Sequence, residues 1–195
     1  MDLTSKSFWE SFYDQKQRDE WYFSSHVILD FLTTYIIASD ISLRNAIVLN
    51  CGCGTALLPL VEQKFNLRWV QLNFDYSLKS LNNTTNYCEA IVADARKIPY
   101  VSLSFDIIME KGLFDSITSM SSGSNAHDLL TEYRRIIKSN GKIFIFSIFG
   151  PNGEHKDMLG LLSHSGFQVD CRDIYTTPAE IPTQDFCFVY ILTPI

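Results

Sequence analysis

Five short apolar runs alternate with longer amphipathic segments along the chain, and this alternation limits the fold more than any other feature. The runs are predicted strands at residues 46–50, 69–74, 90–93, 105–109 and 142–148. Several are apolar on successive residues, as strands buried on both faces of a sheet must be. Between them, residues 56–64, 77–86 and 128–139 are predicted helices, and an Asn-Gly turn at 139–142 leads into the fifth strand. The alternation predicts an α/β fold with helices on both faces of a mostly parallel sheet.

The two ends of the chain depart from this pattern. Residues 1–40 are predicted to be helical, with one buried face formed by Ile28, Phe31, Leu32, Tyr35 and Ile36. Near the other end, residues 166–175 and 185–193 have the character of strands, with no helix between them. The last run is apolar on both faces, so it should lie inside the sheet rather than at its edge. We therefore predict a single Rossmann-like domain over residues 1–195, whose seven-stranded, mostly parallel sheet contains an antiparallel C-terminal strand.

Composition narrows the class of protein. The chain has 195 residues, of which 46% are hydrophobic, enough for one domain with a substantial core. Its formal net charge of -6 and the lack of a dense Lys/Arg run argue against a nucleic-acid partner. The sequence has no apolar stretch of about 18 residues, so we predict no membrane partner. The five cysteines are irregularly spaced and do not suggest a disulfide framework, which favours a reducing compartment.

The stretch IVLNCGCGTALL, residues 47–58, allows two kinds of chemistry. Cys51 and Cys53 suggest a metal pair, but zinc sites of the common kinds need about four protein ligands, usually as two pairs. A second pair is missing from the sequence, and the four His are scattered. Because side chains alternate along a strand, we expect Cys51 to pack into the sheet and predict no metal site.

The glycines of the same stretch favour a cofactor loop. A buried strand runs into Gly52-x-Gly54 and then a helix, and glycine permits a tight turn with close backbone approach to a ligand. Asp75 follows Gly54 by 21 residues, at the end of the next strand, where an acidic residue can accept both ribose hydroxyls of an adenosine cofactor. Leu57 stands where a dinucleotide site needs a third glycine, which argues against NAD and FAD. S-adenosylmethionine (SAM), an adenosine cofactor without phosphate, does not need that glycine.

Nearly the whole chain resembles the class I SAM-dependent methyltransferases. The motifs that carry this resemblance are VLNCGCGT (48–55), NFDYS (73–77), ADARKIP (93–99), FDIIMEKG (105–112) and EYRRIIKSNGKIFIF (132–146). The predicted last strand is similar to the antiparallel insertion of that family. Asn50 replaces the acidic residue that many class I enzymes carry at the end of the first strand.

A narrower resemblance is to a methyltransferase-like subgroup that modifies protein lysines. EKGLFDSI (110–117) is similar to the subgroup signature [DE]-K-G-T-x-D-A, although Leu113 and Ser116 replace its Thr and Ala. FWESFY (8–13) and DEWYF (19–23) are similar to the N-terminal Trp/Tyr motifs of the subgroup. Known members act on lysines of elongation factor 1A or of citrate synthase. The resemblance therefore implies a protein substrate of one of these two types.

The resemblance also implies roles for the residues that follow the second and third strands. Asp75 would hold the ribose hydroxyls, and Tyr76 would lie against the adenine. Asp94 and Ala95 would meet the adenine edge, with Asp94 accepting a hydrogen bond from the exocyclic amine. The alternatives from the residues alone are that Asp75 caps the next helix and that Asp94 is an ordinary loop carboxylate.

The N-terminal aromatic residues have a second implied role. Trp9, Tyr13 and Trp21 would close over the methionine end of SAM, so that residues 1–40 form a helical cap over the SAM site. Their aromatic faces would also favour the sulfonium cation. From the residues alone, these side chains are core residues of an amphipathic helix. Lys111 would line the SAM site, and the alternative is a solvated side chain beside Glu110.

Glu110 is the candidate catalytic residue. It ends the fourth strand, at the carboxyl edge where open α/β sheets bind ligands. Methyl transfer needs a neutral, oriented amine, and a carboxylate at this position would orient the lysine or help to remove its proton. Asp115 would either cap the next helix or face the substrate, and the sequence does not separate these two roles.

Together these observations predict a SAM-dependent methyltransferase that transfers a methyl group to a protein lysine ε-amine. A small-molecule methyltransferase and a catalytically silent SAM-binding or scaffold protein are the alternatives, because the fold does not fix the substrate. We expect a cytoplasmic location because no presequence is visible, whereas resemblance to the citrate synthase enzymes would imply mitochondria.

Overall fold

The computed structural model describes residues 3–15, 21–22, 27–28, 30–32, 34–35, 45–55, 69–83, 89–118, 124–151, 158–175 and 186–195. Within these ranges the strands are β1 (Ile47–Cys51), β2 (Val70–Asp75), β3 (Glu89–Val92), β4 (Phe105–Lys111), β5 (Ile137–Ser147), β6 (Phe167–Tyr175) and β7 (Phe186–Pro194). The helices are α1 (Lys6–Gln15), α2 (Leu78–Asn83), α3 (Leu113–Thr118), α4 (Ser124–Ile136) and α5 (Met158–His164). Residues 27–28, 30–32 and 34–35 are also helical. A search of the same ranges finds no helix with both the length and the apolarity needed to span a bilayer.

The strands form one sheet in the order β3-β2-β1-β4-β5-β7-β6. Strands β1 to β5 pair in parallel, while β7 lies antiparallel between β5 and β6. Val189, Tyr190 and Leu192 of β7 are fully buried, because this strand is apolar on both faces and has a neighbour on each side. The predicted seven-stranded, mostly parallel sheet with an inserted antiparallel C-terminal strand is confirmed.

A hydrophobic core covers each face of the sheet. On one face, α3, α4 and α5 pack through side chains such as Phe114, Leu130 and Leu162. On the other face, Ile28 and Leu32 of the N-terminal helical residues pack against the sheet. The buried face predicted for the N-terminal region is therefore present in the described residues. This part of the region covers a sheet face, while the part that includes α1 lies at the strand ends.

The boundaries of α4 and β5 differ from the prediction, and the predicted helices did not include α3 and α5. Helix α4 begins at Ser124 and ends at Ile136, and Ile137 already belongs to β5. The pairing of β5 with β4 then shifts from Phe105 opposite Ile137 to Ile107 opposite Lys142. The predicted Asn-Gly turn at 139–142 thus occurs as an irregularity within a longer strand. A Cβ at Gly141 would lie 2.9 Å from the Asp106 carbonyl oxygen, so the close approach of β4 requires glycine there.

Strand β3 is the exception to the prediction of strands buried on both faces, since all four of its residues are exposed at the edge of the sheet. Other predictions fall on residues that the structure does not describe. These are the helix at 56–64, with the Leu57 position, the end of the helix at 77–86 and the buried position of Ile36.

Candidate active site

A cavity of about 300 Å³ opens at the carboxyl ends of the central strands. Its lining comes from the N-terminal segment and from the residues that follow β1, β2, β3, β4 and β5. We call the part formed by Asp75, Tyr76, Asp94 and Ala95 the β2–β3 end, and the part formed by Tyr22, Asp115, Ile148 and Phe149 the β4–β5 end. Neighbouring strands are about 4.8 Å apart, so the five strands spread these two ends over roughly 19 Å. Open α/β sheets bind ligands at this edge.

The turn after β1 is built on two glycines with left-handed backbones. Gly52 has φ 58° and Gly54 has φ 53°, a region that favours glycine because it has no Cβ. Gly52 lines the cavity, whereas Gly54 is not part of the lining. A Cβ at Gly54 would lie 2.8 Å from the hydroxyl oxygen of Tyr13. The structure therefore has the tight turn predicted from the sequence, and Gly54 lies against Tyr13 of α1, outside the cavity lining.

Asp75 connects this turn with the β2–β3 end. Only 6% exposed, it lines the cavity, and its Oδ2 accepts a hydrogen bond from the Gly54 N–H at 2.8 Å. Its Oδ1 accepts another from the Ser77 N–H at 2.8 Å. Burial raises the pKa of Asp75 above its ordinary value, although hydrogen bonds from Ser77 and Gly54 act in the opposite direction. These hydrogen bonds fix the two carboxylate oxygens in position at the cavity.

The start of α2 resolves the alternative role considered for Asp75. Ser77 Oγ accepts hydrogen bonds from the N–H groups of Lys79 at 3.1 Å and of Ser80 at 3.2 Å. This is the bonding of an N-cap residue. Ser77 therefore caps α2, and Asp75 is free of that role.

Asp94 also lines the β2–β3 end, but it has a partner that the sequence reading missed. The Arg96 guanidinium donates to both of its oxygens, from Nε to Oδ1 at 2.9 Å and from Nη2 to Oδ2 at 2.7 Å. Burial raises the pKa of Asp94, but the hydrogen bonds and the charge of Arg96 outweigh this effect and leave the pKa below its ordinary value. Arg96 lines the cavity as well, so any adenine amine bound to Asp94 would share this carboxylate with Arg96.

Aromatic side chains of the N-terminal segment form one wall of the cavity. Trp9, Tyr13 and Trp21 all line it, with ring centroids 6.0 Å apart for Trp9 and Tyr13 and 5.6 Å apart for Trp9 and Trp21. This wall places side chains from the predicted cap beside Asp75 and Tyr76 of the β2–β3 end.

Polar contacts hold α1 in this position. Glu10 accepts a hydrogen bond from the Leu78 N–H at 2.8 Å, and the Lys79 ammonium contacts Asp14 at 2.7 Å. The Lys6 ammonium lies 5.8 Å from the centre of the Tyr76 ring. The aromatic wall is therefore attached to α2 and to the residue after Asp75, next to the β2–β3 end.

Two buried carboxyl groups lie near the β4–β5 end, Asp115 inside the cavity lining and Glu110 outside it. Glu110, 1% exposed, is not part of the cavity lining, and its Oε2 accepts the Phe114 N–H at 3.0 Å. Burial and the nearby charge of Asp115 raise the pKa of Glu110 well above its ordinary value, which favours the neutral acid. Asp115, 2% exposed, does line the cavity. The structure therefore does not bring the candidate catalytic residue Glu110 to the cavity, and it brings Asp115 there instead.

Cys51 and Cys53 of the stretch 47–58 are free thiols inside the protein. Cys51 is fully buried in the core, as predicted from strand alternation, and Cys53 is also buried. In the part of the chain that the structure describes, no group of three or more His, Cys, Asp or Glu residues is placed to hold a metal ion. The absence of a metal site stays a prediction, which elemental analysis of the purified protein for zinc will test.

Most of the predicted cofactor residues come together in this one cavity. Those that line it are Trp9, Tyr13, Trp21, Gly52, Asp75, Tyr76, Asp94, Ala95 and Lys111. The sequence reading did not single out Tyr22, Arg96, Ile148 or Phe149, which also line it. Ile148 ended the fifth predicted strand, and the carboxyl ends of parallel strands are where such sites lie. No sequence feature indicated that Tyr22 lines the cavity, because its position depends on how the N-terminal segment packs.

These residues fit SAM. Asp75 presents a fixed, buried carboxylate to the cavity, as a ribose diol requires. Ala93, Ala95 and Ile117 provide an apolar lining suited to a flat base. The aromatic wall offers the electron-rich ring faces that attract a sulfonium cation.

Comparison with known proteins agrees with this fit. Residues 49–145 match the family described as methyltransferase domain. An eEF1A lysine and N-terminal methyltransferase of Danio rerio is 26% identical over 151 residues, which cover 72% of this chain and 21% of that protein. The present chain thus spans about a fifth of the length of that relative.

Solved structures share the fold. A TehB-like SAM-dependent methyltransferase from Corynebacterium glutamicum superposes with a TM-score of 0.63 at 14% identity, covering 98% of this chain and 100% of the other. The magnesium protoporphyrin IX methyltransferase of Synechocystis PCC 6803 with bound SAM gives a TM-score of 0.62 at 12% identity, covering 87% of this chain and 80% of the other. From the fold, the cavity and the match at residues 49–145, the chain carries a methyltransferase domain with the fold of the SAM-dependent methyltransferases, and its cofactor is SAM.

Proposed function

We propose that this chain transfers the methyl group of SAM to the ε-amine of a protein lysine. The observation that carries the proposal is the pair of buried carboxylates in one cavity, Asp75 at the β2–β3 end and Asp115 at the β4–β5 end. The first suits the ribose diol of the cofactor, and the second suits an amine. The similarity to an eEF1A lysine methyltransferase supports a protein acceptor and makes elongation factor 1A the first substrate to test, followed by citrate synthase.

SAM supplies an activated methyl group on a positively charged sulfur. The residues of this chain would bind and orient it: Asp75 would hold the ribose hydroxyls, and Tyr76 and Ala95 would contact the adenine. The aromatic wall formed by Trp9, Tyr13 and Trp21 would cover the methionine part and exclude water. Lys111, which also lines the cavity, would contribute to the same cofactor site.

Orientation of the acceptor is the other requirement for transfer. The amine must be neutral, with its lone pair in line with the bond between sulfur and methyl carbon, and holding such a geometry supplies much of the rate enhancement of two-reactant enzymes. A buried carboxylate in the cavity lining can accept a hydrogen bond from the amine and fix this direction. The positive charge that develops on nitrogen is then close to a negative charge, which stabilises the transition state.

Labelled SAM offered to a whole-cell extract tests the proposal. We expect the purified chain to label a protein band, and mass spectrometry of that band to locate the methyl group on lysine. Asp75→Ala at the same concentration is the control, since it should label more weakly at low SAM.

Other distributions of label would contradict the proposal. Label confined to small molecules would favour a small-molecule methyltransferase, which one of the superposed structures exemplifies. Binding of SAM with no labelled product in any extract would favour a silent SAM-binding protein. The cytoplasmic location expected from the sequence belongs to the proposal as well, and cell fractionation tests it.

A further inference from the structure

The β4–β5 end of the cavity contains a carboxylate whose position is fixed from several sides. Asp115 Oδ1 accepts a hydrogen bond from the Ser147 hydroxyl at 2.6 Å, and Oδ2 accepts one from the Ile148 N–H at 3.1 Å. Ser147 and Ile148 lie at the end of β5, while Asp115 is in the first turn of α3. The carboxylate is therefore anchored between two elements, with its side chain in the cavity lining.

Tyr22 lies at the same end of the cavity as this carboxylate. Burial raises the pKa of the Tyr22 hydroxyl, and the charge of Asp115 raises it further. The hydroxyl therefore keeps its proton and can donate a hydrogen bond to Asp115. Tyr22 belongs to the N-terminal segment, so this segment and α3 meet in the cavity lining.

The backbone conformations of Tyr22 and Gly112 allow the Tyr22 ring to lie in the cavity lining. Tyr22 has φ 66°, a left-handed conformation that is unusual for a bulky residue and costs about 1–3 kcal/mol. Gly112 has φ 77°, and a Cβ at this position would lie 3.0 Å from the Tyr22 ring. The glycine that follows Lys111 thus leaves the space that the Tyr22 ring occupies.

Of the two buried carboxyl groups near the β4–β5 end, Asp115 is the one that faces the cavity. Glu110, the other carboxyl group in this region, lies outside the lining, and burial and Asp115 both favour its neutral form. Lys111 lines the cavity too and supplies a positive charge. A carboxylate held in an apolar lining of Ile148 and Phe149 interacts strongly with a cation, because little water screens it.

We propose that Asp115 is the acceptor-binding residue, that Tyr22 is its positioning residue, and that the acceptor is therefore a primary amine. This inference rests on the proposed methyl transfer and names the residues that receive its substrate. The amine, neutral after losing a proton to water, donates an N–H to Asp115. Its lone pair forms the bond to the methyl carbon as the bond from sulfur to that carbon breaks, with the electron pair of the broken bond remaining on sulfur. The positive charge passes from sulfur to nitrogen, next to Asp115, and the methylated ammonium later releases a proton to water.

Sinefungin provides a test that needs no acceptor substrate. In this analogue of SAM, a carbon bearing a primary amine replaces the methylated sulfur, so that an amine sits where the transferred methyl would be. S-adenosylhomocysteine (SAH) has the same nucleoside and amino-acid parts without that amine. The ratio of the two dissociation constants, measured by calorimetry on the full chain, gives the contribution of the amine to binding.

We expect the wild-type chain to bind sinefungin more tightly than SAH. Asp115→Asn should reduce this preference about ten- to a hundredfold, as expected for the loss of a charged hydrogen-bond partner, with SAH affinity little changed. Tyr22→Phe should reduce it roughly two- to tenfold, because the hydroxyl that can position the carboxylate is lost. Asp106→Asn and Tyr100→Phe are the matched controls, since neither residue lines the cavity, and they should leave the ratio unchanged.

The outcomes separate this inference from the proposed function. A wild-type chain that binds SAH but does not prefer sinefungin, or an Asp115→Asn chain that keeps the preference, would overturn the acceptor subsite while leaving SAM-dependent methyl transfer intact. A wild-type chain that does not bind SAH would overturn both. If Asp115→Asn loses its thermal unfolding transition, Tyr22→Phe decides the question, because it removes a single oxygen atom.

Discussion

The two ends of the cavity each present a buried carboxylate, but they hold it through different kinds of contact. At the β2–β3 end, Asp75 accepts the N–H of Ser77 and Asp94 accepts from Arg96, in both cases two residues along the chain, and Asp75 also accepts the N–H of Gly54, 21 residues earlier. At the β4–β5 end, Asp115 accepts from Ser147 and Ile148, which are 32 and 33 residues away, and Tyr22 of the N-terminal segment lines the same end. The contacts of Asp75 and Asp94 thus lie within residues 54–96, whereas the β4–β5 end needs three segments that are far apart in the sequence. We therefore expect substitutions in those segments to alter the β4–β5 end without loss of SAM binding.

The largest expected effect is the difference in kcat between the Asp115→Asn and Glu110→Gln variants. Asp115→Asn should lower kcat by about 10²-fold or more at saturating SAM, because the amine loses its charged acceptor. Glu110→Gln should leave kcat within a few-fold, since Gln still accepts the Phe114 N–H and Glu110 lies outside the lining. Initial rates on the acceptor protein identified by extract labelling measure both. A larger loss in Glu110→Gln would restore Glu110 as the catalytic residue and remove Asp115.

The second prediction concerns SAM binding at the β2–β3 end. Asp75→Ala should weaken SAM binding about ten- to a hundredfold, the equivalent of roughly 1.5–3 kcal/mol for a lost charged hydrogen-bond partner. The variant also leaves the Gly54 and Ser77 N–H groups without their acceptor, so its melting temperature should fall as well.

A matched control separates binding from stability for Asp75. Asp106 accepts the Ile47 N–H at 2.9 Å and contacts Lys138, at the opposite end of the sheet. Asp106→Ala should therefore lower the melting temperature without changing SAM affinity in calorimetry. Unchanged affinity in a folded Asp75→Ala protein would remove Asp75 from the site.

A third prediction tests whether the left-handed backbone of the turn after β1 requires glycine at position 54. Gly54→Ala should lower the free energy of unfolding by roughly 1–2 kcal/mol, the cost of a left-handed backbone with a side chain. The added Cβ would also press on the Tyr13 hydroxyl. Gly160→Ala is the control, because a Cβ there meets no atom within 4 Å and α5 should gain roughly 0.5–1 kcal/mol from losing a helix glycine. Urea unfolding that shows equal changes for both variants would contradict this account.

The smallest effect is expected for the pair formed by Asp94 and Arg96. Arg96→Gln should raise the pKa of Asp94, because burial remains and the opposing charge is gone. In the wild-type chain the lowered pKa favours the folded state above the ordinary pKa of 3.8, and this contribution disappears as pH falls through the lower folded value. The pair is partly exposed, so the change in unfolding free energy at neutral pH should stay within about 1 kcal/mol. An NMR titration in which the pKa of Asp94 does not rise would contradict the assignment.

The site could be predicted where a motif and its partner are close in sequence or share a strand end. Nine predicted cofactor residues, from Trp9 to Lys111, do line one cavity. Gly54 was assigned to the ligand because a glycine in this turn suits close backbone approach, and the structure shows that the approaching group is Tyr13. Arg96 was missed because nothing in its own residue type shows that it folds back on a carboxylate two positions earlier.

The sequence alone determined the succession of the strands, the antiparallel insertion of β7 and the cofactor class, because apolar periodicity and glycine spacing act over short distances along the chain. The short helices α3 and α5 were not among the predicted helices. Only the tertiary structure decided which carboxylate faces the cavity. Glu110 and Asp115 are five positions apart, and the sequence favoured the first because it ends β4. In the fold, α3 starts directly after β4, so that Glu110 accepts the Phe114 N–H inside the protein, while Ser147 and Ile148 hold Asp115 at the cavity. The direction of a side chain at a strand end depends on the donors that surround it, and here most of those donors come from distant parts of the chain.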